Sequence, residues 1–117
     1  MWNLWKVFRQ IKELEEGDIV ITTDKGSFQI RFNNGYKLSI INVFGSYSEN
    51  HYKQDLLEKQ NDYNCGGISS KNCEIAIIKN SEFVTNNILN SGDSVKGYVD
   101  IDELIEIINL VNNLEKE

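Results

Sequence analysis

The stretch Phe28-Gln29-Ile30-Arg31-Phe32-Asn33-Asn34-Gly35-Tyr36-Lys37-Leu38-Ser39-Ile40 decides the fold. Two alternating segments flank a glycine, and the length of the loop between them sets which side chains share a face. A two-residue turn at Asn34-Gly35 places Phe32 opposite Lys37 and divides the apolar residues between both faces. A three-residue loop, Asn33-Asn34-Gly35, instead pairs Phe32 with Tyr36, Ile30 with Leu38 and Phe28 with Ile40. Every large apolar side chain then lies on one face, and Gln29, Arg31, Lys37 and Ser39 lie on the other. The bulged three-residue loop is therefore expected, with Gly35 at positive φ, where a Cβ is costly.

Outward from the hairpin, residues 19–23 read as a strand joined to 27–32. Turning at Lys25-Gly26 aligns Ile19, Ile21 and Thr23 with Phe32, Ile30 and Phe28; a three-residue loop aligns Val20 and Thr22 instead, and the sequence leaves both open. Either way a three-stranded meander ends near Val43. Residues 74–78 form a further strand, followed by a short segment around Phe83-Val84-Thr85 and a turn at Asn90-Ser91-Gly92-Asp93. Residues 95–99 return as a strand, with Gly97 at a bulge or a close approach.

Residues 3–16 carry helical periodicity, with Leu4, Val7, Phe8, Ile11 and Leu14 on one face, Trp5 at its margin and Gly17 as a stop. Lys6, Arg9, Glu13 and Glu16 form the opposite, solvated side, with Arg9–Glu13 and Lys12–Glu16 at pairing distance. Trp2 projects away from the stripe, so it either folds back on the sheet or anchors an interface. Near the C-terminus Asp100 and Glu103 form a capping box, which makes the acidic cluster there structural. In the helix that follows, Ile101, Leu104, Ile105, Ile108 and Val111 form one stripe, extended by Ile107, Leu110 and Leu114. The apolar arc covers about 220°, against the ≳100° usual for a surface helix. Such a helix is either sandwiched in its own fold or meets another subunit. The second is favoured here, as a homo-oligomer with Trp2, Ile107, Leu110 and Leu114 at the interface.

The class is thus α+β: an antiparallel sheet of about five strands with an N-terminal and a C-terminal amphipathic helix, in a single domain, 1–117. At 40% hydrophobic residues the chain can bury a core. No apolar run approaches a membrane span, and the first residues lack a secretory pattern, so a cytoplasmic location is expected. The net charge of −6 argues against non-specific nucleic-acid binding, which needs clustered cations, but leaves room for a small anion bound locally. Cys65 and Cys73 are expected as free thiols, ahead of a loop-closing disulfide; one histidine, His51, is too few for an ordinary zinc site, and neither metal nor cofactor is expected.

Residues 45–72 lose periodicity. Residues 51–60 read as a short helix resting Tyr52 and Leu56 on the domain, and 61–72 as a Gly/Asn-rich loop. Tyr47, Ser48, Asn50, His51, Tyr52 and Lys53 supply stacking faces, hydroxyls, an imidazole and a cation; with Arg31, and Lys37 beside it, such a set can hold a nucleotide, aromatics on the base and cations on phosphate. The plainer alternative is a loop whose tyrosines cover the core edge. There is no P-loop, dinucleotide fingerprint, nucleophile elbow or zinc-protease helix, and a Cys–His pair with His51 lacks a third, orienting group. A non-enzymatic role is expected.

The run 32–48, with Asn34-Gly35-Tyr36, Ser39-Ile40 and Gly45-Ser46-Tyr47-Ser48, resembles small proteins encoded by bacteriophages and prophages of low-GC bacteria. Glu74-Ile75-Ala76 and Val95-Lys96-Gly97-Tyr98-Val99 with the closing helix add to the likeness. That group has no assigned activity, so the resemblance transfers no functional residue and implies only context. It implies a phage-type binding protein that antagonises bacterial immunity, by sequestering a small nucleotide signal or by occluding a defence protein. The alternatives are a small hydrolase of a nucleotide messenger or a structural or regulatory phage protein.

Overall fold

Strict alternation in residues 28–40 sorts the hairpin, and the rest of the sheet follows from that sorting. The computed structural model describes residues 2–10, 19–24, 27–43, 45–56 and 69–115. Its elements are α1 (Leu4–Gln10), β1 (Ile19–Asp24), β2 (Ser27–Phe32), β3 (Tyr36–Ile41), β4 (Asn72–Lys79), β5 (Glu82–Phe83), α2 (Thr85–Leu89), β6 (Lys96–Asp100) and α3 (Ile101–Asn112), with a 3-10 turn at Gln54–Leu56. The antiparallel sheet runs β1-β2-β3-β4, and the fifth position is shared by β5 and β6, which pair with opposite ends of the same edge of β4.

The hairpin adopts the three-residue loop. Phe28 pairs with Ile40, Gln29 with Ser39, Ile30 with Leu38 and Arg31 with Lys37, and Gly35 sits at φ +91. The first connection is also resolved: Ile19 faces Phe32, Ile21 faces Ile30 and Thr23 faces Phe28, the register of the two-residue alternative. The Lys25-Gly26 turn itself lies outside the described residues, as do the predicted helix extension 11–16 with its stop at Gly17, and residues 57–68 with Cys65.

Phe28, Ile30, Phe32, Leu38, Ile40, Ile75, Ile77 and Val99 present one face of the sheet to α1 and α3, where Leu4, Val7, Leu104, Ile107, Ile108 and Val111 complete the core. Trp5 meets Phe28 edge-on at 5.0 Å. Trp2 folds back: it exchanges backbone hydrogen bonds with Ser70 (3.2 and 2.9 Å) and its indole N–H donates to the Lys71 carbonyl at 3.3 Å. The expected place of Ile107 at a subunit interface is corrected by burial. Ile107 is 4% exposed inside the chain's own core, and Ile101, Ile105 and Leu114 pack partly buried against it. Of the apolar residues in α3, Leu110 alone is exposed.

Two local expectations are refined. Asp100 caps α3, its carboxylate accepting the Glu103 amide at 2.9 Å, but the Glu103 carboxylate turns away to Lys96 Nζ at 2.8 Å, so only half of the capping box forms. The five-residue helix α2 was not expected. It follows β5 because the buried Thr85 hydroxyl accepts the Ile77 amide at 2.8 Å, a bond between side chain and sheet that no periodicity reveals. Among the described residues no helix is long and apolar enough to cross a membrane.

One side chain ties the hairpin to the far end of the chain. Buried Asn34 donates through Nδ2 to the carbonyls of Val111 (2.7 Å) and Leu114 (3.0 Å), and its Oδ1 accepts the Tyr36 amide at 3.1 Å. The turn thereby adds side-chain bonds to two carbonyls at the end of α3, of which Val111 also accepts the Leu114 amide at 3.2 Å. Asn34→Ala is expected to destabilise the protein by about 1–3 kcal/mol in a denaturant melt, the cost of orphaning buried polar groups; an unchanged midpoint would rule the tie out.

Candidate functional site

The pairing registers place four residues in one row across the outer face of the sheet, away from the core: Arg31 on β2, Lys37 on β3, Ile78 on β4 and Phe83 on β5. At this end of the sheet a groove of about 280 Å³ is lined by Arg31, Tyr36, Lys37, Ile78, Asn80 and Ser81 among others, with no acidic side chain among the described lining residues. Asn80 and Ser81 take φ +52 and +66, the geometry of a two-residue type I′ turn that sends β5 back along β4.

Arg31 is exposed and Lys37 half-buried. Among the described residues neither side chain makes a hydrogen bond or an ion pair. Like charges directly opposite across two strands are destabilising, and no ion pair among the described residues offsets this one. Lys79 is differently employed. It reaches from the core face to donate to the Asn34 carbonyl at 2.9 Å and lies 4.4 Å from the centre of the Tyr36 ring.

The predicted aromatic set lies elsewhere. In residues 46–51 the buried Ser46, Ser48 and Asn50 alternate with exposed Tyr47 and half-buried Glu49 and His51, and hydrogen bonds tie the buried set together. Ser46 Oγ donates to the Val43 carbonyl at 2.6 Å and lies 2.7 Å from Ser48 Oγ, which accepts the Asn50 amide at 3.2 Å. Asn50 Nδ2 donates to the carbonyls of Asn42 (2.6 Å) and Ser69 (3.1 Å), while Asn50 Oδ1 is buried without a partner. Above this net the Tyr47 and His51 rings lie nearly parallel with centres 6.2 Å apart, and Tyr52 meets His51 edge-on at 4.4 Å. His51 Nδ1 lies 2.9 Å from the Ser46 carbonyl, an acceptor, so this nitrogen carries the proton.

The loop is clamped to β4 and β6 at a bulge. Between the pairs Cys73–Val99 and Ile75–Lys96, β4 contributes only Glu74, whereas β6 contributes Gly97 and Tyr98. Glu74 Oε1 accepts the Tyr47 amide at 3.1 Å, and the Tyr98 amide donates to the Tyr47 carbonyl at 2.8 Å. Tyr98 takes φ +53, uncommon for a bulky residue. Gly97 is both expected things at once, a bulge and a close approach, since a Cβ there would meet Tyr47 Cβ at 2.6 Å.

Sequence reasoning thus gathered residues that the fold separates. Tyr47, His51 and Tyr52 come together with Lys53 beside them, but Arg31 belongs to the other end of the outer face. From the row of Lys37 to that of Ile41 and Glu74 is four residues, roughly 13 Å along the strand. Ser48 is 2% exposed and committed to the hydrogen-bond net, which removes it from any ligand surface. Tyr52, expected to rest on the domain, is 87% exposed, and the expected helix at 51–60 is represented within the described residues by the turn Gln54–Leu56. Ile78, Asn80, Ser81 and Phe83 were missed. The alternation of β4 carried the signal for Ile78, because Ile75 and Ile77 take the core face and leave Ile78 on the other.

Cys73 is a free thiol in the core, 3.6 Å from the Val99 carbonyl. Burial, and then the carboxylates of Glu103, Glu74 and Asp100, push its ionisation far above the ordinary thiol range. Among the described residues no group of His, Cys, Asp and Glu could hold a metal ion. Comparison with family models, with curated proteins and with solved structures finds no match.

Two outcomes follow from this geometry. The unfolded chain ionises Cys73 near pH 9.0 while the folded chain keeps it protonated. Its contribution to stability is therefore complete below that pH and falls as the pH rises above it. The difference in stability between wild type and Cys73→Ala, measured by denaturation from pH 7 to 10.5, should shrink across the alkaline range; a constant difference would contradict the buried neutral thiol. Gly97→Ala is expected to cost about 1–3 kcal/mol by overpacking against Tyr47 and to shift the amide resonances of residues 45–52. A spectrum unchanged there would mean that the loop is not clamped at the bulge.

Proposed function

We propose that this protein is a non-enzymatic binding module that captures a small phosphate-bearing molecule in the groove at the hairpin end of its sheet. One observation carries the reading: Arg31 and Lys37 face each other across β2 and β3, and among the described residues they have no counter-charge and the groove beside them no acidic lining. An anion supplies what this arrangement lacks, since Arg offers a fork of donors to phosphate and Lys a point charge. Holding rather than hydrolysing is favoured by the chemistry nearby. Among the described residues the groove's lining holds no carboxylate or imidazole to activate water, His51 lies at the other end of the face, and Cys73 is sealed in the core.

In the setting implied by the phage resemblance, such a module antagonises host defence by lowering the free concentration of a small nucleotide signal. A second reading, occlusion of a defence protein, draws on the exposed aromatics of the clamped loop and bulge, Tyr47 at 51%, Tyr52 at 87% and Tyr98 at 61%. Aromatic side chains of this kind anchor protein interfaces.

The proposal is tested by calorimetric titration with inorganic pyrophosphate at low salt, beside Lys37→Gln and Arg31→Gln. Saturable binding is expected in the wild type, at least tenfold weaker in either variant. Lys37→Gln should also raise the stability of the free protein by about 0.2–1 kcal/mol, because it relieves a like-charge pair. Absence of pyrophosphate binding by the wild type, or recovery of chemically altered cyclic nucleotide after incubation and heat denaturation, would overturn it.

A further inference from the structure

We infer that the same row holds a planar ring beside the phosphate, so that the ligand is a nucleotide whose base lies on Phe83 and whose phosphates meet Lys37 and Arg31. The inference rests on the proposed capture of phosphate and adds a second subsite to it. Phe83 is 59% exposed, an unusual position for the one aromatic residue of a two-residue strand. Its direction is fixed by the ladder. Phe83 pairs with Ile78, which pairs with Lys37, which pairs with Arg31, so all four side chains project from one face. The next residue, Val84, packs against the core and donates its amide to the Ile77 carbonyl at 2.8 Å, which leaves Phe83 to the outer face.

Adjacent strands stand about 4.8 Å apart, so Phe83 and Lys37 are separated by roughly 10 Å and Arg31 by a further spacing. That span suits a base, a sugar and a short phosphate chain laid across the strands. Ile78 provides an apolar floor between ring and cations, and Asn80 and Ser81, exposed on the adjoining turn, offer a carboxamide and a hydroxyl at the height of the sugar. Aromatic residues on a sheet face with cations alongside form a base-stacking platform that tolerates any base, since every base has a π-face.

Calorimetry with two probes, ADP and inorganic pyrophosphate, separates the subsites in the wild type, Phe83→Ala and Phe83→Tyr. ADP is expected to bind the wild type roughly 5- to 100-fold more tightly than pyrophosphate, the range that one stacked base contributes. Phe83→Ala should bring ADP down to the affinity of pyrophosphate and leave pyrophosphate unchanged, while Phe83→Tyr keeps the preference. Nuclear Overhauser contacts between the adenine protons and the Phe83 ring should accompany binding. Equal affinity of the wild type for both probes, or an ADP affinity indifferent to Phe83→Ala, would overturn the ring subsite and leave phosphate capture standing. If neither probe binds, both fall.

Discussion

The register of β2 against β3 is the constraint on which the rest of the molecule depends. Because strand side chains alternate, a single residue of slip would exchange the two faces, exposing Phe28, Ile30, Leu38 and Ile40 and burying Arg31 and Lys37. The penalty for burying unpaired cations adds to the loss of apolar burial, so the two errors reinforce each other. The loop Asn33-Asn34-Gly35 fixes the count. Gly35 supplies the positive φ, and Asn34 locks the turn onto the last carbonyls of α3. The β2–β3 hairpin and the last helix are thereby held by the same side chain.

That sorting leaves a polarised molecule. On one face the sheet, α1 and α3 enclose a continuous apolar core; on the other, exposed groups segregate toward opposite ends. The hairpin end carries Arg31 and Lys37 with Ile78 and Phe83 in line. The opposite end carries the tyrosines and His51, supported by Glu74 and by the hydroxyl and carboxamide net of Ser46, Ser48 and Asn50. At the first end the aromatic in line with the cations is therefore Phe83, two strands from Lys37, rather than Tyr47. Helix α3 is largely covered by its own fold and exposes Leu110 as its sole large apolar residue.

Much of the fold was legible in the sequence because period-two patterning and loop length together over-determine a hairpin. The strands at 28–40 and 74–78, the Asp100 cap and the dual role of Gly97 all follow from rules local to a few residues. The apolar arc on α3 was legible, but not which of its residues the chain itself covers. Periodicity counts apolar positions without knowing how far the chain wraps around them, and here the chain covers Ile107 and most of Leu114. Helix α2 escaped notice because its start is set by a bond from Thr85 to the sheet. The candidate site was legible only in pieces. Arg31 and Lys37 were adjacent by register, whereas their partners Ile78 and Phe83 come from strands more than forty residues later, and only sheet order aligns them. Ser48 looked available because a hydroxyl in a polar loop gives no hint that it is buried and bonded to Ser46 and Asn50.

The central claim is that strand register leaves an uncompensated cationic pair at one end of the sheet, built to receive an anion. Amide chemical-shift mapping tests it most directly, with pyrophosphate titrated at constant ionic strength against a chloride control. The account predicts saturable shifts confined to Arg31, Lys37, Ile78 and the Asn80–Ser81 turn, absent in chloride. Shifts centred on Tyr47 and His51, or identical small shifts in both salts, would contradict it.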